Sequence, residues 1–132
     1  MPVRLGRFDV SAAAKSGADL HLHHPATLEP LWDGETPVAL TLMGKDAPEV
    51  RDAFKATDAL VVKGEITKEE QMIRVLIVAT LGWSGLEVDG SEDCTPENIR
   101  KLYSADETEW VLEQVAPFLR NRANFARNMQ TD

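Results

Sequence analysis

Two periodicities divide the chain. Residues 19–24, DLHLHH, alternate, with Leu20 and Leu22 on one side and Asp19, His21 and His23 on the other. That is the two-residue period of a half-buried strand. Residues 36–43, TPVALTLM, alternate as well, Val38, Leu40 and Leu42 against Ala39, Thr41 and Met43. The intervening HPATLEPLWDGE carries prolines and Asp33-Gly34 and reads as a loop or turn. A lone antiparallel pair is marginal in water, so a third strand from residues 3–10, or a covering helix, is expected.

From Gly44 the period becomes helical. Asp46 is placed to cap a helix, with Glu49 at the capping-box offset and Pro48 in the first turn. Val50, Ala53, Phe54, Thr57, Leu60 and Val61 then share a face, and Lys63-Gly64 ends the segment. Thr67 opens a second helix with Glu70 at the same offset. Met72, Ile73, Leu76, Ile77, Thr80 and Leu81 form its stripe, widened by Val75 and Val78, so this helix is expected to be the most buried element. Gly82 should stop it, and WSGLEVDGSEDC should form a loop. Thr95-Pro96-Glu97 starts a short helix with Ile99, Leu102 and Tyr103 inward. Ser104 or Asp106 is placed to cap a fourth, carrying Trp110, Val111, Gln114, Val115 and Phe118, which Pro117 should kink or end. The expected fold is a single α+β domain over residues 1–132, mainly α-helical with about four helices and a small N-terminal antiparallel β-sheet. Residues 1–45 form its strand-rich part, 46–120 its helical part, and 121–132 a tail with freedom to move.

Composition narrows the function classes. With 43% hydrophobic and 27% charged residues the chain has the balance of a soluble globular protein. No apolar run reaches membrane-spanning length, and no apolar stretch follows the arginines of MPVRLGRFDV, so neither a membrane span nor a secretory signal is expected. The single cysteine, Cys94, excludes an internal disulfide and points to the cytoplasm. A net charge of −8, from 14 Lys+Arg and 22 Asp+Glu, opposes nucleic-acid binding. The end of the chain is locally basic, with Arg120, Arg122 and Arg127 against Asp132. It reads either as a solvated terminus or as a partner contact.

Catalytic chemistry has little to stand on. His21 and His23 share a strand face with Asp19, a set that zinc could use. His24 points the other way, however, and nothing completes a full set of structural ligands. Glu87, Asp89, Glu92 and Asp93 cluster in a loop, but Val88 and Gly90 fall where calcium-binding oxygens are needed and the closing glutamate is missing. Phosphate-cradling, dinucleotide and nucleophile-elbow signatures are absent from the sequence. Cys94 lies beside Glu92 and Asp93, whose charge disfavours a thiolate, and Ser84 has no histidine near it in sequence. No cofactor is expected. Among the aromatics, Trp83 and Trp110 sit at core-like positions, whereas Trp32 in a loop and Phe125 in the basic tail are the better candidates for partner contact.

Residues 81–125 carry, in order, LGWSGLEVDG, TPENIRKLY, Trp110, QVAPF and NRANF, and TLMGKDAPEVRDA precedes them. In this the chain resembles the tail assembly chaperones of long-tailed (lambda-like) bacteriophages and prophages, over roughly residues 40–126. The resemblance implies a non-enzymatic chaperone that binds the tape measure protein, keeps it soluble and assists tail tube polymerisation. It would act in the host cytoplasm and be absent from the mature virion. In many members a frameshifted extension recruits tail tube protein, and this chain, ending at Asp132, is expected to correspond to the shorter product. Trp83, Trp110, Asn124 and Phe125 occupy the family-pattern positions. The apolar surplus of residues 67–82, or of the amphipathic segment 47–61, is expected to line a client groove or a self-association surface. The alternative is a structural virion component, such as a tail completion or head–tail joining protein.

Overall fold

The computed structural model describes residues 2–129. A short 3-10 turn, Leu5–Arg7, leads into helix α1, Val10–Ser16, which Asp9 caps by accepting the amide of Ala12 at 2.9 Å. Residues 3–10 therefore supply no strand. The third strand comes from beyond the second long helix: β1 (Ala18–His21), β4 (Ala39–Leu42) and β5 (Thr80–Ser84) form an antiparallel sheet in the order β1-β4-β5. β4 is central, with Leu40 opposite both Leu20 and Trp83, and a bulge interrupts its pairing with β5 between Thr41 and Leu42. Between β1 and β4 the chain makes an arm whose outer part is the two-stranded hairpin β2 (Trp32–Asp33) and β3 (Thr36–Pro37), turned by Asp33-Gly34-Glu35. The fold is thus mixed α and β, with five α-helices among the described residues where about four were expected, and its sheet is closed by a segment from the middle of the chain.

Helix α2, Pro48–Val62, starts with Pro48 in its first turn, but its N-cap is Ala47 and no side chain caps it. Asp46 accepts two hydrogen bonds from Arg122 instead. Helix α3, Lys68–Ala79, is capped as its sequence indicates, Thr67 Oγ1 accepting the Glu70 amide at 3.1 Å. It stops at Ala79, and Thr80 and Leu81, read as the end of its stripe, belong to β5. The cores of α2 and α3 are joined by a buried polar contact, Gln71 Nε2 donating to Thr57 Oγ1 at 3.0 Å. Helix α4, Pro96–Ser104, begins at the Thr95 cap and buries Ile99, Leu102 and Tyr103. Neither Ser104 nor Asp106 caps the last helix. A 3-10 turn, Asp106–Thr108, precedes α5, Glu109–Arg120, whose N-cap is Thr108. α5 continues through Pro117 to Arg120.

The core lies where β4, α2, α3, α4 and α5 meet, and Leu22, Leu40, Leu42, Val50, Val75, Leu76, Val111 and Val115 are its largest fully buried side chains. A second, smaller cluster forms from Ala13, Ala18 and Phe125. Residues 121–129, expected to move freely, are docked there: a 3-10 segment, Arg122–Asn128, lies on α1, and Asn128 Nδ2 donates to the carbonyls of Ala13 and Gly17. Residues 130–132 of that expected tail lie outside the described residues.

Candidate functional site

α5 carries two apolar faces. Val111, Val115 and Leu119 are buried in the core, and Leu112 and Ala116, one turn apart, form a second row that runs on to the edge of Leu119. That second row walls a cleft. At the C-terminal half of α5, Ala116, Leu119 and Arg120 face Val50 and Phe54 of α2 and Met72 of α3, enclosing about 340 Å³ with Lys45 at the rim. The backbone holds this end shut, Lys45 N–H donating to the Leu119 carbonyl at 3.0 Å. At the N-terminal half, Glu109 and Leu112 face Lys68, Glu69, Met72 and Ile73 of α3 and the turn after α4, enclosing about 450 Å³ more. The two hollows meet at Met72. α3 contributes to both hollows and α2 to the first; the first is lined mainly by apolar side chains, and the second adds Tyr103, Ser104 and Asp106.

The two ends differ in charge. Lys45 and Arg120 stand at one, and Glu69, Asp106 and Glu109, with Lys68 among them, at the other. None of these six takes part in an ion pair among the described residues. The adjoining charges are spent on structure. Glu70 accepts from Arg74 on its own helix and, through both oxygens, from Arg100 of α4; these bonds hold its carboxyl down at about 2. Arg122 is taken by Asp46, whose carboxyl its hydrogen bonds also lower.

Of the residues singled out one by one as partner contacts, only Arg120 lies on this groove; Val50, Phe54 and Met72 come from the segments 47–61 and 67–82 expected to line one. Trp32 is on the hairpin arm, 57% exposed, with its ring edge-on to His21 at 4.8 Å. Trp83 is half-buried against the core and its Nε1–H donates to the Glu92 carbonyl. Trp110 packs on the core. Phe125, expected to be exposed, is only 3% exposed: it meets Phe118 edge-on at 5.6 Å and lies over Ala13 and Ala18. Asn124 Nδ2 donates to the Phe118 carbonyl, stapling the chain after α5. Arg127 is exposed and makes no ion pair among the described residues. Met72 lay on the stripe of 67–82 expected to line a client groove, whereas Lys45, Ala116 and Leu119 were missed. Ala116 and Leu119 had a signal in the second apolar row of α5, which the row of Val111, Val115 and Phe118 overshadowed.

The histidines do structural work on the arm. His21 Nε2 is 2.6 Å from the Leu31 carbonyl, and His24 Nδ1 accepts the amides of Ala26 and Thr27, forming a turn. Gln114 of α5 clips the arm in place, accepting the His23 amide and donating to the His23 carbonyl. Asp19, the third member of the zinc reading, accepts from Thr41 Oγ1 at 2.6 Å. No group of three or more metal-ligating side chains is gathered among the described residues. Cys94 is half-buried, and burial pushes its thiol pKa up, away from nucleophilic use. Among the described residues no helix is long and apolar enough to cross a membrane. No family model, no curated protein and no solved structure matches this chain.

Proposed function

We propose that this protein is a non-enzymatic binding protein that holds a helical client, and that it acts as a tail assembly chaperone on a phage tape measure protein. The observation that carries the reading is the groove in which Phe54, Met72 and Ala116 lie over the buried Val50 and Leu119, an apolar trough between three helices with Lys45 and Arg120 beside it. A tape measure protein is long and helix-rich, and its apolar stripes stay uncovered until the tail tube encloses them. A trough of this kind takes one such stripe by helix-in-groove packing. Many copies along the client, each bound weakly, shield it and still release it as the tube grows. A net charge of −8 keeps the coated client in solution. Leu28 and Trp32, exposed on the arm, give a second apolar contact at which a neighbouring copy or the tail tube protein can sit.

The test is co-expression with the tape measure protein. The client is expected to become soluble and to co-purify. Met72→Glu, which places a charge on the groove floor, is expected to abolish co-purification while circular dichroism stays that of the folded parent. An insoluble client beside a well-folded partner would overturn the proposal. Mass spectrometry of purified particles separates the chaperone from a structural virion component, since the chaperone is expected to be missing from them.

A further inference from the structure

We infer that the groove is bipolar, and that its occupant is an amphipathic helical segment of another chain with acidic residues at one end and basic residues at the other. This rests on reading the groove as the client site and adds the chemistry of the client. From Glu109 to Arg120, α5 runs eleven residue steps, about 16 Å at the usual helical rise, so the trough matches about three turns of a docked helix. Met72 lines both halves, and on the α5 side Leu112 lines one while Ala116 and Leu119 line the other. The Lys45 and Arg120 end bears two cations. The far end bears Glu69, Asp106 and Glu109 against Lys68 alone.

Neighbouring charges do not cancel this asymmetry. Asp46 beside the first end is bound by Arg122, and Glu70, Arg74 and Arg100 beside the second are bound to one another. A uniformly acidic or uniformly basic helix therefore meets repulsion at one end, and a helix without end charges gains from neither. A bipolar helix is attracted at both, its acidic end at Lys45 and Arg120 and its basic end at Glu69, Asp106 and Glu109. Rim charges of this kind select partner and register, with the apolar floor supplying the attraction common to all.

The experiment titrates the intact protein with synthetic helical peptides that share one apolar stripe and differ only in their end charges: bipolar, all-acidic and all-basic. Binding is read by fluorescence anisotropy at low and moderate salt. For the parent, the bipolar peptide is expected to bind about tenfold more tightly than either uniform peptide, with the gap narrowing as salt rises. The double variant Lys45→Glu/Arg120→Glu is expected to lose that preference and to favour the all-basic peptide, a rescue that misfolding cannot mimic. Equal binding of all three peptides to the parent overturns the bipolar occupant, and binding of none overturns the groove as a helix site. A dimer in sedimentation that bipolar peptide dissolves assigns the groove to a second copy and overturns the separate partner. Peptide selectivity without rescue of the tape measure protein would sink the phage reading alone, so the two failures are distinguishable.

Discussion

At the scale of single residues, the most closely packed glycine is Gly44. A Cβ built there would stand 2.8 Å from Phe125 Cε2 and 3.1 Å from the Cβ of Ala14, so the absence of a side chain is what lets the docked C-terminal segment close over α1. Gly44→Ala is expected to cost about 1–3 kcal/mol by overpacking, read as a lower urea midpoint at unchanged slope. The same change combined with Phe125→Leu should recover part of the loss, because the clashing ring edge is gone. If Gly44→Ala unfolds like the parent, the described packing is wrong. Phe125 also shows how a residue's role escapes the sequence. A phenylalanine between arginines near a chain end reads as exposed, and its burial follows only from a contact with Ala13 and Ala18, more than a hundred positions away.

At the scale of elements, local chemistry was readable and long-range pairing was not. Thr67 and Thr95 cap α3 and α4 because a hydroxyl beside a helix start needs only the next turn to satisfy it. Asp46 offers the same local signal before α2, yet the doubly hydrogen-bonding guanidinium of Arg122 captures its carboxylate, a partner that sequence spacing cannot reveal. Thr80-Leu81 extends the helical stripe of α3 in sequence, but pairing with the central strand β4 draws it into β5, with Leu81 as the extra residue at the bulge. The floor of the groove was half legible: Val50 and Phe54 lay on the expected face of 47–61, whereas the second row on α5 needed the neighbouring helices to give it meaning. The Asp46–Arg122 pair ties the start of α2 to the last segment, and a double-mutant cycle of Asp46→Ala and Arg122→Ala is expected to show a small favourable coupling that weakens as salt rises. Strictly additive single losses would exclude the pair.

At the scale of the whole molecule, the ion pairs make stability depend on acid. The Glu70 carboxyl is held at about 2 by its bonds to Arg100 and Arg74, below its ordinary 4.5. Protons therefore bind the unfolded chain first as pH falls. The stability this group contributes is fully present above 4.5 and is lost progressively down to about 2. Asp46, lowered by Arg122, acts in the same direction. Both arginines of the Glu70 cluster are more than two-fifths exposed, so solvent screening limits the Glu70 contribution to about 1 kcal/mol. Urea unfolding above and within this window is expected to show the fall in the parent and a flatter profile in Glu70→Gln. Identical profiles would show that the cluster contributes nothing.

Val10 at the start of α1 and Met129 at the end of the docked segment line the same small hollow, so the first and last packed pieces of the fold lie side by side. A short bridge can join them without crossing the core. The exposed turn at Gly64, between two helices that already pack on each other, then offers a place to reopen the chain. A rearranged polypeptide beginning at α3 and finishing with α2 should reach the same native packing, and its groove, walled by three helices, would keep every side chain in place.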